Sequence, residues 1–341
     1  MKKETTTLKQ IAASLNLSIS TVSRALNDHI DISEETKRKV KREAERLQYV
    51  PNILAKGFRK HKTNIIGIIV PSVIHSFTAT ILKGILLESE KTNYTTIIAE
   101  TNNNPEKEKD VLNTMLQFGV EGILMALSKH TRDISPMLHA LKKRPLILFD
   151  KVSSKIPCTQ VVIDEVAAAA NAVEHLVNIG KKRIAIIKER EDSYNSEKRF
   201  EGYKQTLKKH DLPIDESLIL STDDSSINEG KRLARELICL KDKPDAIFCI
   251  TDDFAIGVIK TLKKFAIKIP DEIAVVGFSN SSHSTIIEPN LTTVNQPGGR
   301  IGKLAMQQMI REIESNEVFG TSKSIEIQTN LIIRESTFFI N

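Results

Sequence analysis

The 341-residue chain lacks any apolar run of the roughly 18 residues that a membrane-spanning helix needs. Its first residues, MKKETTT, are not followed by the apolar stretch of a secretory signal, so the expectation is a cytoplasmic protein without membrane association. Cysteine is scarce. Cys158, Cys239 and Cys249 are scattered and show no C-x-x-C spacing, which argues against disulfide and zinc frameworks and leaves them as small buried hydrophobes. Enzyme signatures are missing too. There is no G-x-S-x-G and no H-E-x-x-H. GGRIG at 298–302 is neither a full dinucleotide fingerprint nor a phosphate loop. The eight histidines are dispersed; His75 and His283 could reach a ligand cleft, but a hydrogen-bonded structural role is the better reading. Asp252 and Asp253 are adjacent at an expected helix start, where one of them should cap the helix, so they do not read as a catalytic pair. The expectation is a chain that is not an enzyme, with no catalytic residues, no metal ligands and no cofactor.

Length suits two or three domains, and 40% apolar with 27% charged residues suits a globular protein with a real core. The charge is unevenly placed. Residues 1–62 hold 14 Lys and Arg against 7 Asp and Glu, so this segment carries +7 and the remainder −1. A small basic head on a near-neutral body points to a polyanion partner for the head alone.

LKQIAASLNLSISTVSRALN, residues 8–27, holds two short apolar-patterned stretches with a break between them. Thr7 and Gln10 stand at capping-box spacing before a helix from about Leu8 to Leu15. Asn16 suits a tight turn, and Ser18 can cap a second helix, Ile19 to Leu26. Ser33 can cap a third, long and basic, running through EETKRKVKREAERLQY. Two helices joined by so short a turn read as a helix-turn-helix, whose second helix enters the DNA major groove. Ile19, Ser20 and Arg24 would then face the bases, with arginine able to grip guanine by two hydrogen bonds. Thr7, Ser18, Thr21, Ser23 and Asn27 are short polar groups suited to phosphates. PNILAKGFRKHKTN, from Pro51, is a short basic linker with a helical turn or two at 52–58. From Asn64 onward, apolar runs such as IIGIIV, GILMAL, RIAII and IAVVGF alternate with helical patterns at 105–118, 164–179 and 196–210. That alternation predicts parallel sheets with helices on both faces, divided between two similar lobes, with ligands beyond the carboxyl ends of the strands.

The head, with TVSRALN followed by YVPN, closely resembles the lactose- and galactose-repressor (LacI/GalR) family of bacterial transcription regulators. The resemblance continues through VVIDE, HLVNIGKKRIAII, PDAIFCITDDFAIG, IPDEIAVVGF and PNLTTVNQP, in the family's order. It implies a small all-α helix-turn-helix head on an α/β two-lobed core like a periplasmic sugar-binding protein. The expected division is 1–50 head, 51–62 hinge helix and linker, 63–162 with about 292–323 as one lobe, and 163–291 with about 324–341 as the other. Chain crossings between lobes are expected near 162, 291 and 324. The resemblance also implies a homodimer on double-stranded, near-palindromic operator DNA. Tyr49, Asn52, Ala55 and Lys56 would join the DNA contacts, and Phe58 would be the apolar wedge of the hinge. The tail shows no leucine heptad, so no coiled-coil tetramer is expected.

For the effector, the resemblance implies Phe77, Asn195, Arg199, Asp252 and Gln296 as cleft residues. It also shows departures. Ser279 stands where many members have an Asp, and Ser225 stands where an aromatic platform is usual. Without a carboxylate at 279, Arg199 has one fewer counter-charge, which points toward an anionic effector such as a sugar phosphate or uronate. The expected function is a repressor switched by a small-molecule sugar or sugar derivative. Two alternatives stay open: a sugar-phosphate-binding enzyme core fused to a DNA-binding head, and a regulator controlled by a protein partner.

Overall fold

The computed structural model describes residues 6–50, 62–190, 193–315 and 320–338. The expected hinge helix and the DNA contacts of Asn52, Ala55, Lys56 and Phe58 lie outside these residues. The chain forms two compact units, residues 1–63 and 64–341.

In the first unit, α1 spans Leu8–Leu15, α2 Ile19–Leu26 and α3 Glu34–Arg46. Each start is fixed by a hydroxyl that satisfies a free backbone N–H. Thr7 accepts from the Gln10 backbone while the Gln10 side chain accepts from the Thr7 N–H at 2.7 Å, which completes the capping box. Ser18 and Ser33 cap α2 and α3. Asn16 turns the chain between α1 and α2 in the left-handed region, at φ 53°. The helices close over Ile11, Ala12, Val22, Ala25, Val40 and Ala44. The third helix ends at Arg46, short of the Tyr49 that its pattern suggested, and the Leu47 and Tyr49 side chains pack on this core beyond the helix end.

The second unit contains two six-stranded sheets. The first is built from β1 (Ile65–Val70), α4 (Ser76–Ser89), β2 (Thr95–Glu100), α5 (Pro105–Gln117), β3 (Gly122–Met125), α6 (Ser135–Leu141), β4 (Leu146–Phe149) and β5 (Thr159–Ile163). The second is built from α7 (Glu165–Asn178), β6 (Ile184–Glu189), α8 (Tyr194–Lys209), β7 (Ile219–Thr222), α9 (Ile227–Ile238), β8 (Ala246–Cys249), α10 (Asp252–Lys264), β9 (Ala274–Ser279) and β10 (Thr292–Asn295). Then α11 (Gly298–Glu314) returns to pack on α4, and β11 (Lys323–Ile327) and β12 (Asn330–Ile332) add one edge strand to each sheet. The strand orders are β11-β5-β4-β3-β1-β2 and β12-β10-β9-β8-β6-β7, so the lobes repeat one doubly wound plan. All pairings are parallel except β10 with β12. Central strands β1, β3, β4 and β8 are buried throughout, which is why they read as unbroken apolar runs. Gly302 lets α11 lie against α4: a Cβ there would sit 2.0 Å from the Ile81 carbonyl oxygen.

Three expectations need correction. The second crossing follows Asn295, not 291, because Thr292–Asn295 pairs with β9 in the second sheet. The third follows Ile327, not 324, because Lys323–Ile327 pairs with β5 in the first. Cys158 and Cys249 are buried as expected, but Cys239 is exposed at the C-cap of α9.

Candidate functional site

A cavity opens between the lobes beyond the carboxyl ends of the strands, where a doubly wound fold gathers its loops. Phe77, from the first turn of α4, lines one side. Asn195 and Arg199 come from the first turns of α8, Asp252 from the start of α10, Ser279 from the end of β9, and Gln296 from just past β10. All six residues expected at an effector site thus line one cavity.

Arg199 is buried, and three of its five N–H groups are committed. Nε donates to Glu165 Oε2 at 2.7 Å, Nη2 to Glu165 Oε1 at 3.2 Å, and Nη1 to the Ile250 carbonyl at 2.6 Å. Its guanidinium carbon lies 3.6 Å from the centre of the Phe278 ring, a cation–π stack. Burial pushes the Glu165 carboxyl up, and the charge and hydrogen bonds of Arg199 oppose that shift. This overturns the argument for an anionic effector: the counter-charge missing at Ser279 is supplied by Glu165, in the first turn of α7. Sequence reasoning missed Glu165 because an acid just after Asp164, the N-cap, reads as an ordinary helix-start carboxylate.

Asp252 is buried and accepts from Thr293 Oγ1 at 2.6 Å and from the Ser281 backbone at 2.6 Å. Desolvation raises its pKa, opposed by those hydrogen bonds. Neither Asp252 nor Asp253 caps α10. The cap is Thr251, whose hydroxyl accepts from the Phe254 N–H at 3.3 Å, which leaves both carboxylates in the first turn and on the cavity wall. His75 also lines the cavity. Ser279 has φ 126°, a backbone region that favours glycine, so the wall is strained at that point. Ser225 lines the cavity and donates to Glu189, so position 225 presents a hydroxyl and no stacking face.

The lobes are joined across the cavity by polar contacts absent from the sequence reading. Asn195 Nδ2 donates to Asp150 Oδ1 at 2.8 Å. Lys129 Nζ donates to the Asp223 carbonyl at 2.8 Å and lies 3.4 Å from Glu189 Oε1. Burial works against ionised Glu189, but the charges of Lys129 and Lys151 and the hydroxyls of Ser193 and Ser225 bring its carboxyl down to about 2.

In the head, Val22 and Ala25 face the core while Ile19, Ser20 and Arg24 are exposed on the other side of α2. Arg24 and Asp31 approach to 3.9 Å with both side chains more than half exposed, a contact weak enough for DNA to replace. Thr21 and Ser23 are half-buried, and the Thr7 and Ser18 hydroxyls are engaged in capping. Asn27 Nδ2 donates to the Ser23 carbonyl at 2.7 Å. Tyr49 is half-buried against the head core.

Among the described residues no helix is long and apolar enough to cross a membrane, and no group of three or more His, Cys, Asp or Glu could hold a metal ion.

Residues 63–335 match the family model of periplasmic binding proteins and the sugar-binding domain of the LacI family, and residues 7–52 match that of bacterial regulatory proteins of the lacI family. The NTD biosynthesis operon regulator NtdR of Bacillus subtilis is 33% identical over 97% of this chain and 99% of its own length. Catabolite control protein A of Priestia megaterium is 32% identical over 97% and 99%. Among solved structures, the lac repressor dimer bound to operator and an anti-inducer shares the fold at a TM-score of 0.85, with 20% identity over 98% of this chain and 100% of that one. A complex of the transcriptional regulator CelR with cellobiose matches at 0.73, with 25% identity over 97% and 99%.

Proposed function

The chain belongs to the LacI family of bacterial regulatory proteins, and from that premise we propose a cytoplasmic repressor whose operator affinity is set by a sugar-type effector in the cleft between the lobes. As a member of this family it is a DNA-binding transcription regulator with a sugar-binding domain, and not an enzyme.

The observation that carries the effector reading is the convergence of Phe77, Asn195, Arg199, Asp252, Ser279 and Gln296 on one polar cavity fed by both lobes. A ligand that touches both lobes can favour one of their relative arrangements, provided it binds the two arrangements with different affinity. Here the ligand would meet the Asn195–Asp150 link directly, and the Lys129–Glu189 link through Glu189. For the head, Ser20 and Arg24 are the proposed base readers, with Ile19 making apolar contact and the capping hydroxyls and Asn27 facing phosphates. The protein acts as a homodimer on a near-palindromic site in this reading. The two lobes, exchanging strands after Ile163, Asn295 and Ile327, are its proposed effector-binding subdomains.

Selection of bound oligonucleotides from a random pool tests the DNA half. The expected result is a two-fold site whose half-site centres lie about one helical turn apart. Enrichment of no sequence, or of single half-sites only, would count against it.

A further inference from the structure

We propose that the cleft ligand is a polyhydroxylated molecule bearing a protonated amine, an amino sugar or aminated polyol, rather than a neutral sugar or a sugar acid. This rests on the reading of the cleft as an effector site and names the chemical class it takes.

The first observation is the charge left over after the cavity's own pairings. Among the described residues, Asp150, Glu189, Asp252 and Asp253 line the cavity against Lys151 and Arg199. Arg199 is already matched by Glu165, and Glu189 by Lys129 at 3.4 Å. Three carboxylates, Asp150, Asp252 and Asp253, then face one remaining lining cation, Lys151. Asp252 is satisfied by Thr293 and the Ser281 backbone. Asp150 accepts from Asn195, and the Asp253 carboxylate accepts no hydrogen bond from any described residue. Burial raises the Asp253 pKa while the nearby His75 and His283 rings favour its charged form. A second carboxylate or a phosphate brought here would add like charge to this surplus. An ammonium brings the opposite charge and three donors.

The second observation is independent of charge. Asn195 is 8% exposed, and its Oδ1 has no hydrogen-bond partner among the described residues. Donation of Nδ2 to Asp150 fixes the orientation of the amide, so the atom left over is an acceptor. A buried acceptor without a donor is costly and asks the ligand for an N–H or O–H. Phosphate and carboxylate oxygens cannot provide one. Hydroxyls can, but they leave the carboxylates unbalanced, and an amine on a polyol answers both.

Calorimetry on the full-length protein tests this with matched ligands. Glucosamine, galactosamine and mannosamine would be compared with their N-acetyl forms, with glucose, galactose and mannose, and with the corresponding uronates. The expected result is that at least one amine binds tenfold or more tighter than its neutral and N-acetyl counterparts, with no binding of the uronate. A charge-assisted hydrogen bond supports a preference of roughly this size. Asp253→Asn should bring the ratio of amine to neutral affinity down toward one; because the ligand series alone decides the matter on the wild type, poor folding of that variant does not. A neutral sugar or a uronate binding as tightly as its amine would overturn the proposal and leave the effector reading standing. No binding by any member of the series would overturn both.

Discussion

Arg199 and Glu165 form two N–H···O bonds, 2.7 and 3.2 Å long, between α8 and the first turn of α7, with both side chains about 95% buried. A buried pair costs desolvation at both ends, so its removal as a unit and its breaking are different events. Glu165→Gln should destabilise the protein by about 3–5 kcal/mol, because it strands a guanidinium. Adding Arg199→Met should recover a large part of that loss. Urea denaturation of the two single variants and the double variant checks this, and an additive double variant would contradict it.

Arg24 is exposed on α2 and supports no core contact. Arg24→Ala should leave the melting of the head unchanged while costing about 1–3 kcal/mol in operator binding and relaxing specificity at one base position in each half-site. Quantitative footprinting on the selected site and on its single-base variants reads both effects.

Glu189 ties the lobes through Lys129, and the charges of Lys129 and Lys151 help bring its carboxyl down to about 2 from the usual 4.5. A folded-state pKa below the unfolded value means that its contribution is complete above about pH 4.5 and fades as pH falls toward 2. Glu189→Gln should therefore destabilise the protein near neutrality and progressively less in acid. Urea melts of both proteins across that range test the sign, and a pH-independent difference would refute it.

Thr251 caps α10 and thereby sets where Asp252 and Asp253 stand. Thr251→Ala should cost about 1 kcal/mol of stability. It should also weaken effector binding more than that loss of stability explains, because the first turn would fray at the cavity wall.

Much of this was legible in the sequence. Thr7, Ser18 and Ser33 marked the three head helices by cap chemistry, and Asn16 marked the turn. The fully buried strands announced themselves as apolar runs. The strands ILST, TTVN, KSIEI and NLI did not, for physical reasons. Three of them, β7, β11 and β12, are only partly buried sheet edges, and β10 buries Thr292 and Thr293 by hydrogen bonding to Ser336, Thr337 and Asp252. The six residues carried by motifs all line the cavity. The partners Glu165 of Arg199 and Asp150 of Asn195, and the Lys129–Glu189 link, were not legible, because each is set by a tertiary contact that no local pattern encodes.

The central claim is that cleft and operator are thermodynamically linked, and linkage is reciprocal. The most direct test takes a sugar-type ligand that calorimetry shows to bind the full-length protein and measures its affinity with and without saturating operator DNA, alongside operator affinity with and without the ligand. The account predicts that both affinities change by the same factor, and that Asp252→Asn or Arg199→Met reduces that factor. A ligand that binds the cleft equally well whether or not operator is present would contradict it.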